Sequence, residues 1–93
     1  ILDTPNHDAL ALLGDDEHTI LPQIIEQFMT CEWTGSGIQA AISNSAKSIE
    51  LSPRVAYRTL YLCIMGIEKG PRLPAIFSEL ERETILSLLN QCL

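Results

Sequence analysis

Ser52-Pro53-Arg54-Val55-Ala56-Tyr57-Arg58-Thr59-Leu60-Tyr61-Leu62-Cys63-Ile64-Met65-Gly66 is the stretch on which the fold turns. Serine followed by proline opens a helix: the hydroxyl accepts from an early backbone N–H, and proline fits the first helical position, where its missing N–H is not needed. From Val55 to Met65 the residues are apolar nearly all round, which predicts a central helix of a bundle rather than a surface one. Gly66 then supplies the left-handed residue that commonly ends a helix.

The chain on either side of this segment reads as helix too. Asn6 caps a short predicted helix over 6–13 that stops at Gly14. Asp15, Asp16 and Glu17 suit a helix start, because carboxylates complement its positive end. Pro22 is expected to split that segment and to open a helix over 22–30, with Ile24, Ile25, Phe28 and Met29 facing inward. Thr34-Gly35-Ser36-Gly37 is a turn. Thr34 or Ser36 can cap a helix over 37–49, whose Ile38, Ala41, Ile42, Ala46 and Ile49 share one face. Gln39, Ser43, Asn44 and Lys47 lie opposite. Pro74 opens a helix with Ile76, Phe77 and Leu80, and a last helix over 81–92 carries Ile85, Leu86, Leu88, Leu89 and Cys92. No run alternates as a strand does. The expected fold is therefore all-α: a small bundle or cage of five to six short helices, with short connections that make neighbours roughly antiparallel.

Ninety-three residues form one domain with a modest core. No apolar stretch approaches the roughly 20 residues of a membrane span. The first residue is Ile1 rather than Met, so the chain is expected to be a piece of a longer protein. Three cysteines, Cys31, Cys63 and Cys92, lack the spacing of a zinc or redox motif and read as reduced thiols of a cytoplasmic protein. Asp15-Asp16-Glu17-His18 matches no calcium loop and reads as a solvated helix cap, so no metal is expected. His7 and His18 are the only histidines. No nucleophile–base arrangement and no phosphate-binding P-loop can be built, and no catalytic residue is expected.

The net charge is −6, which excludes indiscriminate binding to polyanions. Its distribution is uneven. Residues 1–46 hold seven acids and no Lys or Arg, whereas residues 47–93 hold all six basic residues and five acids. Any contact with a polyanion must therefore come from the second half. There Arg54 and Arg58 share one helix face, as do Tyr57 and Tyr61. Guanidinium groups for phosphate and aromatic faces for stacking are what unpaired RNA requires. Tyr57 is the candidate for stacking. Tyr61, in the middle of the apolar run, is expected to pack inward, and Trp33 is expected to lid the core.

Gly66-x-x-x-Gly70-Pro71-Arg72-Leu73 joins the central helix to the next. Gly66, Gly70 and Pro71 are explained by a helix stop and a turn. Arg72 is not, since a cation at a helix start opposes the dipole by a few tenths of a kcal/mol. It is expected to face either a nearby acid or a phosphate.

These features occur together in a known family. Val55-Ala56-Tyr57-Arg58-Thr59-Leu60-Tyr61-Leu62, the Gly66-to-Leu73 motif with Lys69 inside it, and Leu80-Glu81-Arg82-Glu83-Thr84-Ile85-Leu86 resemble, in order, the C-terminal end of class I lysyl-tRNA synthetases. Trp33 and Ile38-Gln39-Ala40-Ala41-Ile42 are similar as well. The likeness covers residues 33–92, with 1–32 as a helical approach. Glutamyl-tRNA synthetases share a similar glycine–proline element; Arg72 and the Leu60-Tyr61 pair favour the lysine enzymes. The resemblance implies an α-helical domain that binds the tRNA anticodon stem-loop, with lysine tRNA as partner and Arg54, Tyr57, Arg58, Lys69 and Arg72 as contacts. It further implies a parent enzyme whose separate catalytic domain uses ATP to activate lysine, so that this stretch needs no cofactor. The competing expectation is a helical protein-interaction module whose acidic N-terminal half meets a basic partner.

Overall fold

The computed structural model describes all 93 residues. It contains six helices and no strand: α1 His7–Leu10, α2 Asp15–Thr30, α3 Gly35–Ser48, α4 Pro53–Leu60, α5 Leu73–Ser78 and α6 Arg82–Asn90. Alpha-4 runs on as one π-helical turn, Tyr61–Met65. The expected all-α bundle is what forms. Ser52 accepts from the Arg54 N–H with Pro53 behind it, Asn6 accepts from Asp8 and Ala9, and Thr34, rather than Ser36, caps α3 through Gly37.

The core is a single cluster that draws on every helix. Phe28 from α2, Ile38 and Ile42 from α3, Leu60 from α4, Phe77 from α5 and Ile85 from α6 are all completely buried. Alpha-4 packs against α2 and α3, and its extension against α1 and α6, the central position its sequence predicts. Covered by these neighbours, the consecutive residues Leu62, Cys63 and Ile64 of the π turn are all buried. Gly66 closes it with φ 73°, where a Cβ would sit 3.2 Å from a methyl of Leu2. The Leu2 N–H in turn donates to the Ile64 carbonyl at 2.9 Å, which docks the first residues on the end of the central helix.

Pro22 does not split the second segment. It lies inside a continuous α2, between buried Ile20 and Leu21 on one side and Ile24 and Ile25 on the other. An internal proline removes one helical hydrogen bond, here to the His18 carbonyl, and typically costs about 3 kcal/mol. Both Pro22 and His18 are exposed, so solvent can bond the freed carbonyl, and burial of the flanking residues holds the helix together. Met29 lies at the edge of the face formed by Ile20, Leu21, Ile24, Ile25 and Phe28, and points outward at 59% exposure instead of inward.

The C-terminus of α2 is finished by a residue distant in sequence. Arg82 donates to the carbonyls of Met29 at 2.9 Å and Cys31 at 2.7 Å, bonding groups that the helix end leaves free. Its guanidinium also lies 5.3 Å from the centre of the Trp33 ring. Trp33 acts as the expected lid: it meets Phe28 edge-on at 5.4 Å, and its indole N–H donates to the Leu80 carbonyl at 2.8 Å. Beyond α3, Glu50 adopts a left-handed φ of 57°, and the Leu51 and Glu50 N–H groups return to Ala46 and Lys47, reversing the chain into α4.

Candidate nucleic-acid interface

Helix α4 and the 66–72 loop build one face of the molecule. Residues four apart on a helix lie one above the other, so Arg54 and Arg58 form one row and Tyr57 and Tyr61 an adjacent row. Both tyrosines are half-buried and present a rim to solvent. Two neighbouring clefts share them. One, of about 330 Å³, is lined by Tyr57, Tyr61, Gln39 and the Arg72–Ala75 segment. The other, of about 340 Å³, is lined by the same tyrosines with Arg54, Arg58, Glu68 and Lys69. All five residues expected to contact RNA therefore line these two clefts.

Their electrostatic standing differs. Arg58 is already engaged: it donates to the Glu68 carboxylate at 2.9 Å, to the Glu17 carboxylate, and to the Leu12 carbonyl at 3.2 Å. Glu17 also accepts from the Gly14 N–H at 3.1 Å, so Arg58 joins the start of α2 to α4 and to the loop after it. It is an organising residue as well as a wall of the cleft. Arg54, Lys69 and Arg72 are exposed and make no ion pair. For Arg72 no acid is at hand, which removes one of the two partners expected for it. Glu68 is the one carboxylate lining the second cleft, and its charge is shared with Arg58.

Tyr61 does something the sequence did not predict. Rather than simply packing inward, it holds the loop. Its hydroxyl lies 2.6 Å from the Pro71 carbonyl and 3.0 Å from that of Gly70. The backbone leading into Arg72 is thereby tied to α4. Tyr57 has no such partner and keeps its hydroxyl for the cleft. Burial pushes the Tyr57 phenol above its ordinary range, the neighbouring Tyr61 adds to this, and the Arg72 guanidinium opposes it. The Tyr57 ring is therefore neutral and lies close to a cation.

Gln39 is the residue of this face that sequence reading left aside. Its sequence position puts it on the polar side of α3, within the stretch similar to the synthetases, and the packing of α3 against α5 brings it to the rim of the first cleft. Elsewhere the molecule offers less chemistry. No group of three or more His, Cys, Asp or Glu side chains is placed to hold a metal ion. No helix is long and apolar enough to cross a membrane. Cys63, in the π turn that extends α4, is buried against Cys92, and Cys31 is partly covered; none forms a disulfide.

No protein-family model matches the chain, and no solved structure matches it. Curated proteins do. The chain is 28% identical over 86 residues to a lysine–tRNA ligase of Thermoplasma volcanium, covering 92% of this chain and 17% of that protein. It is 26% identical over 74 residues to the lysine–tRNA ligase of Methanocaldococcus jannaschii, 80% of this chain and 14% of the relative. A glutamate–tRNA ligase of Polaromonas naphthalenivorans is 29% identical over 83 residues, 89% of this chain and 18% of the relative. The chain thus spans about a sixth of the length of these relatives, and over that span nearly its whole length is similar to aminoacyl-tRNA synthetases of the lysine and glutamate types.

Proposed function

We propose that this chain is a tRNA-binding domain of a class I lysyl-tRNA synthetase and that its α4 face engages the anticodon stem-loop. The observation that carries the reading is the gathering of Arg54, Lys69 and Arg72, all without ion-pair partners, around two clefts that share Tyr57 and Tyr61. On a molecule of net charge −6 this is the place where a polyanion meets cations and aromatic surface together. Three relatives of the lysine type and one of the glutamate type favour lysine tRNA as the partner.

Each residue has a physical task. Arg54, Lys69 and Arg72 bond phosphates, and Tyr57 stacks on an unpaired base, a contact worth about 1–3 kcal/mol. Arg58 and Tyr61 hold α2, α4 and the loop in the arrangement that presents them. The chemistry of aminoacylation, with its ATP, belongs to a catalytic domain outside these residues. The acidic remainder repels RNA, so the isolated domain binds weakly and most affinity comes from that body. Titration with the anticodon stem-loop of lysine tRNA, followed by backbone amide shifts, tests the reading. Shifts gathered on residues 54–73 support it. Shifts confined to residues 1–32, or no shifts, overturn it in favour of a protein-interaction module.

A further inference from the structure

The two clefts that meet at Tyr57 and Tyr61 differ in character. The second is walled by three cations and one carboxylate, Arg54, Arg58, Lys69 and Glu68. The first is lined by the apolar Leu73, Pro74 and Ala75, two tyrosines, a single cation, Arg72, and one neutral amide, Gln39. Its volume of about 330 Å³ is at the lower end of that used for small-molecule sites and suits one nucleobase with part of its ribose. The Gln39 side chain makes no hydrogen bond within the protein, so its acceptor oxygen and two donor hydrogens are free at the rim.

An apolar slot with an aromatic wall and a lone amide is poorly suited to a phosphate and well suited to a base turned out of its stack. We infer that the first cleft receives one unpaired nucleobase, stacked on Tyr57, and that Gln39 is a specificity-determining residue that bonds its hydrogen-bonding edge. Arg72 holds the adjoining phosphate, and the backbone continues across the tyrosines into the cationic second cleft. Deformed single strands are read by stacking plus edge contacts in this way. The inference deepens the RNA reading proposed above and rests on it. It adds a residue from α3, outside the basic segment, and assigns base selection to it.

The test measures binding of the 93-residue chain to the anticodon stem-loop of lysine tRNA and to variants in which each unpaired loop base is replaced in turn by the other three. One loop position should show a base preference on the order of 10-fold, the size expected of one good edge contact. Gln39→Leu should level that preference while binding persists. Gln39→Glu, which keeps the shape but only accepts, should shift preference towards cytosine and its amino donor. Gln39 is exposed and unbonded, and an unchanged amide spectrum away from the cleft verifies that each variant folds. A Gln39→Leu protein that keeps the wild-type preference, while Arg54→Ala and Arg72→Ala lose affinity, overturns the assignment of Gln39 and leaves the RNA reading standing. So does a wild-type protein that binds every loop variant equally. Absence of binding by the wild-type protein to any hairpin overturns both.

Discussion

The Tyr61 hydroxyl donates to the carbonyl of Pro71 at 2.6 Å, so the last turn of the central helix holds the residue immediately before Arg72. The loop containing Gly70 and Pro71 has no regular secondary structure, and this bond ties it to the helix beside the cleft. Tyr61→Phe keeps the ring and removes the bond. Because the site is partly exposed, the variant should lose only about 0.5–1.5 kcal/mol of stability by urea unfolding. Its affinity for the stem-loop should fall further than that loss of folding stability accounts for, since Arg72 is freed to wander. A variant that binds as tightly as the wild type would show that the loop needs no anchor.

Arg58 is expected to behave as a stability residue first. Two carboxylates and a carbonyl surround its guanidinium, and its side chain retains 34% exposure. Charge-assisted bonds in that setting, discounted for solvent screening, predict that Arg58→Ala costs about 1–2 kcal/mol. Glu17→Gln should cost less, because the amide still bonds Arg58 and only the charge is lost. A double-mutant cycle on Arg58 and Glu17, read by denaturant midpoints, should return a non-zero coupling that shrinks in high salt. Additive effects would mean that the pair contributes nothing beyond its separate contacts.

Arg72 should show the opposite pattern. It has no ion-pair partner in the fold, so Arg72→Ala should leave stability within about 0.5 kcal/mol. Binding to the stem-loop should weaken, and the slope of log affinity against log salt should drop by roughly 0.7 for the lost phosphate contact. Arg54→Ala should act in the same way. A salt slope that does not change in either variant would remove these residues from the interface.

Pro22 offers a test of the fold alone. At this exposed position in α2, Pro22→Ala restores the hydrogen bond to the His18 carbonyl. The proline also restricts the unfolded chain, which offsets part of the gain by about 0.4–1 kcal/mol. A net stabilisation of about 2–2.5 kcal/mol is expected, measured as a higher denaturant midpoint at unchanged slope. Unchanged or lower stability would mean that the helix is already relaxed around the proline.

Much of this protein is legible locally. The Ser52-Pro53 start, the Asn6 cap and the Gly66 stop depend on hydrogen bonds and dihedral preferences within a few residues and stand where the sequence predicts, while Thr34, one of two candidate caps, opens α3 two residues before its expected start. The apolar run from 55 to 65 likewise announces a central helix, because a segment with no polar side must be covered on all sides. The five basic and aromatic residues singled out from spacing and resemblance do line a common face.

What remained hidden depends on partners far along the chain. Alpha-2 stays whole across Pro22 because burial of Ile20, Leu21, Ile24 and Ile25 outweighs a local preference to break, and only packing supplies that burial. Arg82 caps a helix that ended about fifty residues earlier, and Arg58 reaches Glu17 over a similar gap; neither spacing marks the pair in sequence. The same is true of the cleft. Sequence alone determined that the second half of the chain carries the cations and which helix bears Arg54, Tyr57 and Arg58. Tertiary structure decided that Arg58 is neutralised, that Arg72 is left without an acid and that Gln39 joins the site from another helix. Charge and periodicity are properties of a segment, whereas a residue's freedom to bind is set by whatever the fold places beside it.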